Sequence, residues 1–343
     1  MKSEGAFDIE RPVKSYYPGS WLLVAMLVFF VVASGLFGQS PDWQNYLEIF
    51  DQFRISGVEA GEYDRTEFGF RLFAVLLMGL ALSNTAVYAV IASTSVFIKC
   101  AAMNAVASSR KAFVFSVIFY LFAFASLHEL TQLRAALAIA LLFVGFVCLL
   151  DKKPLLAFLV ALLAVAFHYS TIVVLPLFLL IYFFNNNLVT LTRLRVILTG
   201  VAVFAASVTL IALVIAYFEE ELPIVAAYQE YGFGDVSTDA FAPHILLNLA
   251  MVAVGLLLWD RLTACMRYVL FIQCAGIGVF YATLDFQVVA SRVYDLAQTF
   301  WVFYVAAGAD RDDFLVRMST QGFVVVSAAA YSYIYFFSGN FFS

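Results

Sequence analysis

The stretch LRAALAIALLFVGFVCLLDKKPLLAFLVALLAVAFH, residues 133–168, decides the fold class. Two apolar runs, 133–150 and 154–168, flank a short turn carrying Lys152 and Lys153. Long uncharged runs on either side of a basic turn read as a transmembrane hairpin whose turn faces the cytoplasm. Arg134 and the FHYS segment at 167–170 then fall together on the far side of the membrane.

The rest of the chain follows the same pattern. Of 343 residues, 64% are hydrophobic and 13% charged, whereas a soluble domain is about half apolar and a quarter charged. Apolar spans are expected at 21–37, 68–82, 86–106, 112–127, 133–150, 154–168, 171–184, 196–217, 245–259, 266–282, 287–307 and 319–337. The fold class this implies is all-α: a polytopic integral membrane protein of about 11–12 hydrophobic helices, forming one domain over 1–343. Several spans fall short of the ~20 residues that cross a hydrocarbon core, so broken or re-entrant helices are expected where protein shields the freed backbone.

Orientation comes from Lys and Arg in short loops. Lys2, Arg11 and Lys14, then Lys152 with Lys153, Arg193 with Arg195, Arg261 with Arg267, and Arg311 with Arg317 mark one side as cytoplasmic. The acid-rich loop 38–67 and the loop 218–243, which opens FEEELP, face the other side. The count has a defect. Counting every span from a cytoplasmic N-terminus puts HELTQLR, residues 128–134, inside, whereas the lysine pair puts it outside. Either one of the segments between 68 and 127 fails to cross or one terminus is misplaced.

Several chemistries find no support. Cys100, Cys148, Cys265 and Cys274 have neither CxxC nor metal-type spacing and sit in or beside apolar runs, where a small buried hydrophobe is the ordinary role. No P-loop, dinucleotide fingerprint or basic stretch suited to nucleic acid is present. Asp310 and Asp312 in ADRDD resemble a metal pattern only superficially and belong to a cytoplasmic turn. No metal and no cofactor are expected.

The polar groups that interrupt the apolar pattern collect at the external side. His128, Glu129, Gln132 and Arg134 surround a helix end, an arrangement that suits a cavity mouth or a wetted membrane-interface cap. His168 stands between two apolar runs with Tyr169 and Ser170 behind it, either as a structural hydrogen bonder or as a base. In the loop 38–67, Asp42, Trp43, Asn45 and Tyr46 offer the donors, acceptors and aromatic faces that a saccharide uses, or simply form an amphipathic interface helix. Glu67 and Arg71, four residues apart, have the spacing of a helical ion pair; either residue is also placed to contact substrate. Arg292 can hold a phosphate through several fixed donors, or pair with Asp295 three residues on.

Five short patterns in order, PDWQNY (41–46), TEFGFRLF (66–73), TQLRAALAIA (131–140), FHYS (167–170) and SRVYDLAQTF (291–300), resemble the EpsG/Wzy-type family of bacterial polysaccharide polymerases. The resemblance implies a multi-pass glycosyltransferase of the bacterial inner membrane with its active-site cavity on the periplasmic side. Its substrates would be oligosaccharide repeat units on undecaprenyl diphosphate, as both donor and acceptor. The expected partners are this lipid-linked substrate, membrane lipid, and a chain-length regulator and flippase of the same pathway, with no nucleic acid.

The chemistry then asks for arginines on the leaving diphosphate and a base for the acceptor hydroxyl. Arg134 and Arg292 fit the first role. His168 fits the second, followed by Glu129 and His128. Asp42, Tyr46, Glu67, Arg71, Gln132, Tyr169 and Asp295 are expected around the sugars. A lipid-linked oligosaccharide flippase and an O-antigen ligase-like transferase meet many of the same demands, and a scaffold without chemistry would tolerate neutral replacements of Arg134 and His168.

Overall fold

The computed structural model describes residues 20–36, 42–58, 66–186, 192–218, 240–284 and 286–333. Among them the secondary structure is helical, without strands. The chain is a polytopic all-α membrane protein. Among the described residues five helices are long and apolar enough to cross a membrane: Asn84–Val106, Arg110–Leu130, Leu133–Leu150, Arg193–Leu210 and Ala264–Ala282.

In chain order the helices are α1 (Ser20–Leu36), α2 (Trp43–Ser56), α3 (Phe68–Gly79), α4 (Asn84–Val106), α5 (Arg110–Tyr120), α6 (Ser126–Leu130), α7 (Leu133–Leu150), α8 (Pro154–Phe167) and α9 (Val174–Asn186). They continue as α10 (Arg193–Phe218), α11 (Pro243–Leu257), α12 (Ala264–Ala282), α13 (Gln287–Thr299), α14 (Trp301–Gly308) and α15 (Phe314–Ser332). A widened π turn, Leu121–Ala125, joins α5 to α6, and a 3-10 turn, Tyr169–Val173, joins α8 to α9. The π turn continues Arg110–Leu130 as one helix, whereas the 3-10 turn separates two of the short apolar runs and Phe300 marks a step between α13 and α14.

The basic turns among the described residues gather at one end of the bundle, and Lys2, Arg11 and Lys14 lie outside the described residues. There Ser108 N–H donates to the Ala306 carbonyl at 3.0 Å, Lys111 faces Asp310 at 3.7 Å and Arg261 faces Asp313 at 3.1 Å. Arg193 pairs with Asp260 nearby. The opposite end holds the start of α2, Glu67, the α6–α7 break, His168 and the start of α11. At that end the Tyr281 hydroxyl donates to the Ala240 carbonyl at 3.0 Å and the Tyr294 hydroxyl to His244 at 3.1 Å.

The defect in the span count resolves at α3. Its 12 residues reach about 18 Å at ~1.5 Å per residue, well short of the ~30 Å hydrocarbon core. Its start, at Glu67, lies against Arg134 and His168. Just past its end, Asn84 donates to Asp51 at 2.6 Å and Arg54 donates to the Leu82 carbonyl. One turn later the Tyr88 hydroxyl donates to the carbonyl of Glu129 at 2.9 Å. Both ends of α3 thus sit at the acidic end of the bundle. The 68–82 segment is the one that does not cross.

Helix α2 lies in what the sequence presents as the external loop 38–67. Tyr46, Phe50 and Phe53 are buried at i, i+4 and i+7, one helix face, which packs on Phe70 of α3. Gly69 brings α3 onto α8: a Cβ there would lie 2.7 Å from the Ala166 carbonyl oxygen. Small residues allow such backbone approach where lipid supplies no hydrophobic drive between helices. In the middle of the bundle Phe143, Phe146, Phe178, Phe300 and Phe303 pack ring to ring. Most of the second loop, 219–239, and with it Glu219, Glu220, Glu221, Tyr228, Tyr231 and Asp235, lies outside the described residues, as does Asp285.

Candidate functional site

Glu67 is the centre of the polar arrangement at the acidic end. It precedes α3 and is 4% exposed. Its Oε2 accepts from Arg134 Nη1 at 2.7 Å and its Oε1 meets His168 Nδ1 at 2.9 Å. The three residues come from three elements: the start of α3, the second position of α7 and the residue closing α8. Burial pushes the Glu67 carboxyl up, but the His168 hydrogen bond and the Arg134 charge outweigh it and hold the pKa at about 2. The group is therefore a carboxylate near neutral pH.

An ionised Glu67 accepts a hydrogen bond from the proton on His168 Nδ1, and in the neutral ring that tautomer leaves the Nε2 lone pair as the acceptor. A carboxylate behind a histidine fixes the tautomer and stabilises the cation formed when Nε2 takes a proton, the logic of acid–histidine pairs in general. Arg134, with 26% of its side chain exposed, keeps a wetted face. Its backbone N–H reaches the Tyr46 hydroxyl at 3.4 Å, so α2 also holds the start of α7 in place.

The ion pair suggested by the spacing of Glu67 and Arg71 does not form. Arg71 instead donates to the carbonyls of Thr66 at 3.1 Å and Val58 at 3.2 Å, because Glu67 is turned toward α7 and α8. Asp42 stands at the head of α2 without capping it and accepts from Asn45 at 3.3 Å. Gln132 is the residue before α7, its N–H taking the Leu127 and His128 carbonyls at 3.0 and 3.1 Å. Tyr169 is exposed beside His168.

Arg292 and Asp295 lie on α13, which packs against the 3-10 turn following His168. That contact brings their helix to the same end as Arg134. Arg292 is exposed, and among the described residues it has no hydrogen bond or ion pair within 4.0 Å, Asp295 included.

The remaining two sequence candidates lie deeper. Glu129 is fully buried, and both its oxygens are engaged: Oε1 by Lys99 at 2.6 Å and Ser95 at 3.0 Å, Oε2 by the Tyr120 hydroxyl. His128 is fully buried and stacked on Phe124 at 5.7 Å, with no hydrogen-bond partner for either ring nitrogen among the described residues. Neither side chain reaches the water that wets Arg134. Sequence reasoning passed over Lys99 as a possible anchor, Tyr120 and the central position of Glu67. The available signal was Lys99 itself, a charge deep within an apolar span, where ionisable groups carry a specific task by default.

Fold and site together define a multi-pass helical membrane protein with a carboxylate–histidine–arginine cluster at its acidic end. The chain belongs to the EpsG family, whose family model matches residues 20–342. That membership is consistent with a polysaccharide-polymerase-like role. Comparison with curated proteins and with solved structures gives no match.

Proposed function

We propose that the protein is a glycosyltransferase that polymerises undecaprenyl-diphosphate-linked oligosaccharide repeat units. It would transfer the growing glycan to the non-reducing end of an incoming lipid-linked unit. The observation that carries this reading is the sharing of one carboxylate, Glu67, between a histidine and a partly exposed arginine. The reaction requires both groups at one place: a base for the acceptor hydroxyl and a fixed positive charge for the departing diphosphate.

In the proposed step, the acceptor oxygen attacks the anomeric carbon while its proton passes to His168 Nε2. The bond from that carbon to the phosphate oxygen breaks, and the electron pair leaves with the polyprenyl diphosphate. Arg134 stabilises that leaving group, and Arg292 on α13 is assigned to the same diphosphate. Asp42, Tyr169 and Asp295 are assigned to the sugar path, while Tyr46, buried on α2, supports the start of α7. By the distribution of Lys and Arg, the basic end faces the cytoplasm and the site faces the periplasm of the bacterial inner membrane. A chain-length regulator and a flippase of the same pathway would be its partners.

Purified protein reconstituted with a lipid-linked repeat unit tests this. A ladder of longer glycans without any nucleotide-sugar supports the reading. Movement of the lipid-linked unit between leaflets with no new glycosidic bond rejects it in favour of a flippase.

A further inference from the structure

Beneath the surface site lies a second polar cluster with no contact to water. Tyr88, Ser95 and Lys99 occupy positions i, i+7 and i+11 of α4, one face of the helix. Lys99 lies about 16 Å further along the helix axis than Tyr88, at ~1.5 Å per residue. Its ammonium donates to Glu129 at 2.6 Å and to the Tyr120 hydroxyl at 2.9 Å. Ser95 adds a second donor to the Glu129 carboxylate, and Tyr120 of α5 a third. Ser95, Lys99, Tyr120 and Glu129 are all fully buried.

Packing alone does not account for a buried ion pair. Charges inside a membrane cost several kcal/mol unless paired, and an apolar pair of similar volume is often as stable or more so. What the cluster does is hold one particular place in the chain. Glu129 is the penultimate residue of α6, and Arg134 is the second residue of α7. Between them the helix breaks at Thr131 and Gln132, and the carbonyls left open must find donors because lipid offers none. Tyr88 serves two of them, Glu129 at 2.9 Å and Leu130 at 3.2 Å. Tyr88 also packs on Trp43 and Tyr46 of α2, and Tyr46 meets the Arg134 N–H.

We infer that the buried Lys99–Glu129 pair, with Ser95, Tyr120 and Tyr88, is a positioning device that fixes the α6–α7 break and thereby sets the Arg134 guanidinium on Glu67. Side-chain contacts from one face of α4 fasten both the Glu129 carboxylate and the carbonyls at the break. Arg134 follows only a few residues later on a new helix whose direction that break determines. The cluster acts through Arg134 and touches no substrate. The inference deepens the proposed reaction, since it concerns the arginine assigned there to the diphosphate.

The test is a mutant cycle read by thermal denaturation of the full-length chain in detergent, which needs no substrate. In the wild-type chain, Arg134→Gln lowers Tm because it strips Glu67 of its charged partner. In a Lys99→Met/Glu129→Leu background, the same Arg134→Gln replacement is expected to lower Tm by less than a third as much. An Arg134→Gln shift of equal size in both backgrounds overturns the inference, whatever the double replacement does to Tm by itself. Should that background not fold, Tyr88→Phe, which removes only the hydroxyl at the break, is judged by the same comparison. Binding of undecaprenyl diphosphate to the wild-type chain is measured separately. Its absence would overturn the donor reading, while the cycle alone decides the positioning role.

Discussion

Arg134 and His168 hold opposite oxygens of a single carboxylate, that of Glu67, at 2.7 and 2.9 Å. The partners lie 67 and 101 residues further along the chain, so the arrangement exists only once α3, α7 and α8 have met. A carboxylate shared in this way couples the base and the positive charge: moving one disturbs the other.

Glu67→Gln keeps the size of the side chain and removes its charge. The expected outcome is a fall in kcat on the order of 10²-fold or more, the scale seen when the acid behind a catalytic histidine is neutralised. KM for the lipid-linked unit should change far less, since Arg134 and Arg292 remain. Steady-state rates of ladder formation check this, and an unchanged kcat would remove His168 from the role of base.

The same carboxylate makes stability depend on acid. Its pKa falls from 4.5 in the unfolded reference to about 2 in the fold. The stabilisation is therefore fully present above pH ~4.5 and is lost as the pH falls through about 2, on the order of 3 kcal/mol in all. Melting curves across this window should show the wild-type chain losing more Tm than Glu67→Gln. Parallel curves would mean that Glu67 is not held as a buried anion.

Gly69 places Glu67 beside His168 by letting α3 touch the backbone of α8. A methyl group there meets the Ala166 carbonyl oxygen at 2.7 Å, a clash between two backbones that no rotamer change relieves. Gly69→Ala should cost about 1–3 kcal/mol and reduce activity together with Tm. Gly79→Ala, at the other end of the same helix with nothing within 4 Å of the added carbon, is the matched control and should be neutral.

His128 offers the reverse case. Its ring is buried without a hydrogen bond at either nitrogen among the described residues, and each unsatisfied polar group of this kind costs about 1–3 kcal/mol. His128→Phe, which retains the stacking on Phe124, should raise Tm and leave the rate of glycan transfer unchanged. A loss of activity at equal or higher Tm would return His128 to the reaction.

The sequence was most readable where one run of residues settles the matter. The apolar runs on either side of Lys152 and Lys153 became the α7–α8 hairpin, and the basic turns fell at a single end. The i, i+4, i+7 spacing of Tyr46, Phe50 and Phe53 likewise carries the buried face of α2. Local spacing misled at Glu67, where Arg71 stands at helical distance yet turns to the Thr66 and Val58 carbonyls. Hydropathy also overstated α3, because a dozen apolar residues look alike whether they cross a membrane or lie along its boundary. Lys99 was hidden for a related reason: a lone lysine reads as an orientation marker until its partner on another helix is known.

The failure of α3 to cross fixes more than a helix count. With that segment confined to one end and each of the other apolar helices crossing in turn, Ser20 and Ser332 are expected to emerge in different compartments. Green fluorescent protein fused before Ser20 and alkaline phosphatase fused after Ser332 would both be active in the same cell, one glowing in the cytoplasm and the other working outside it.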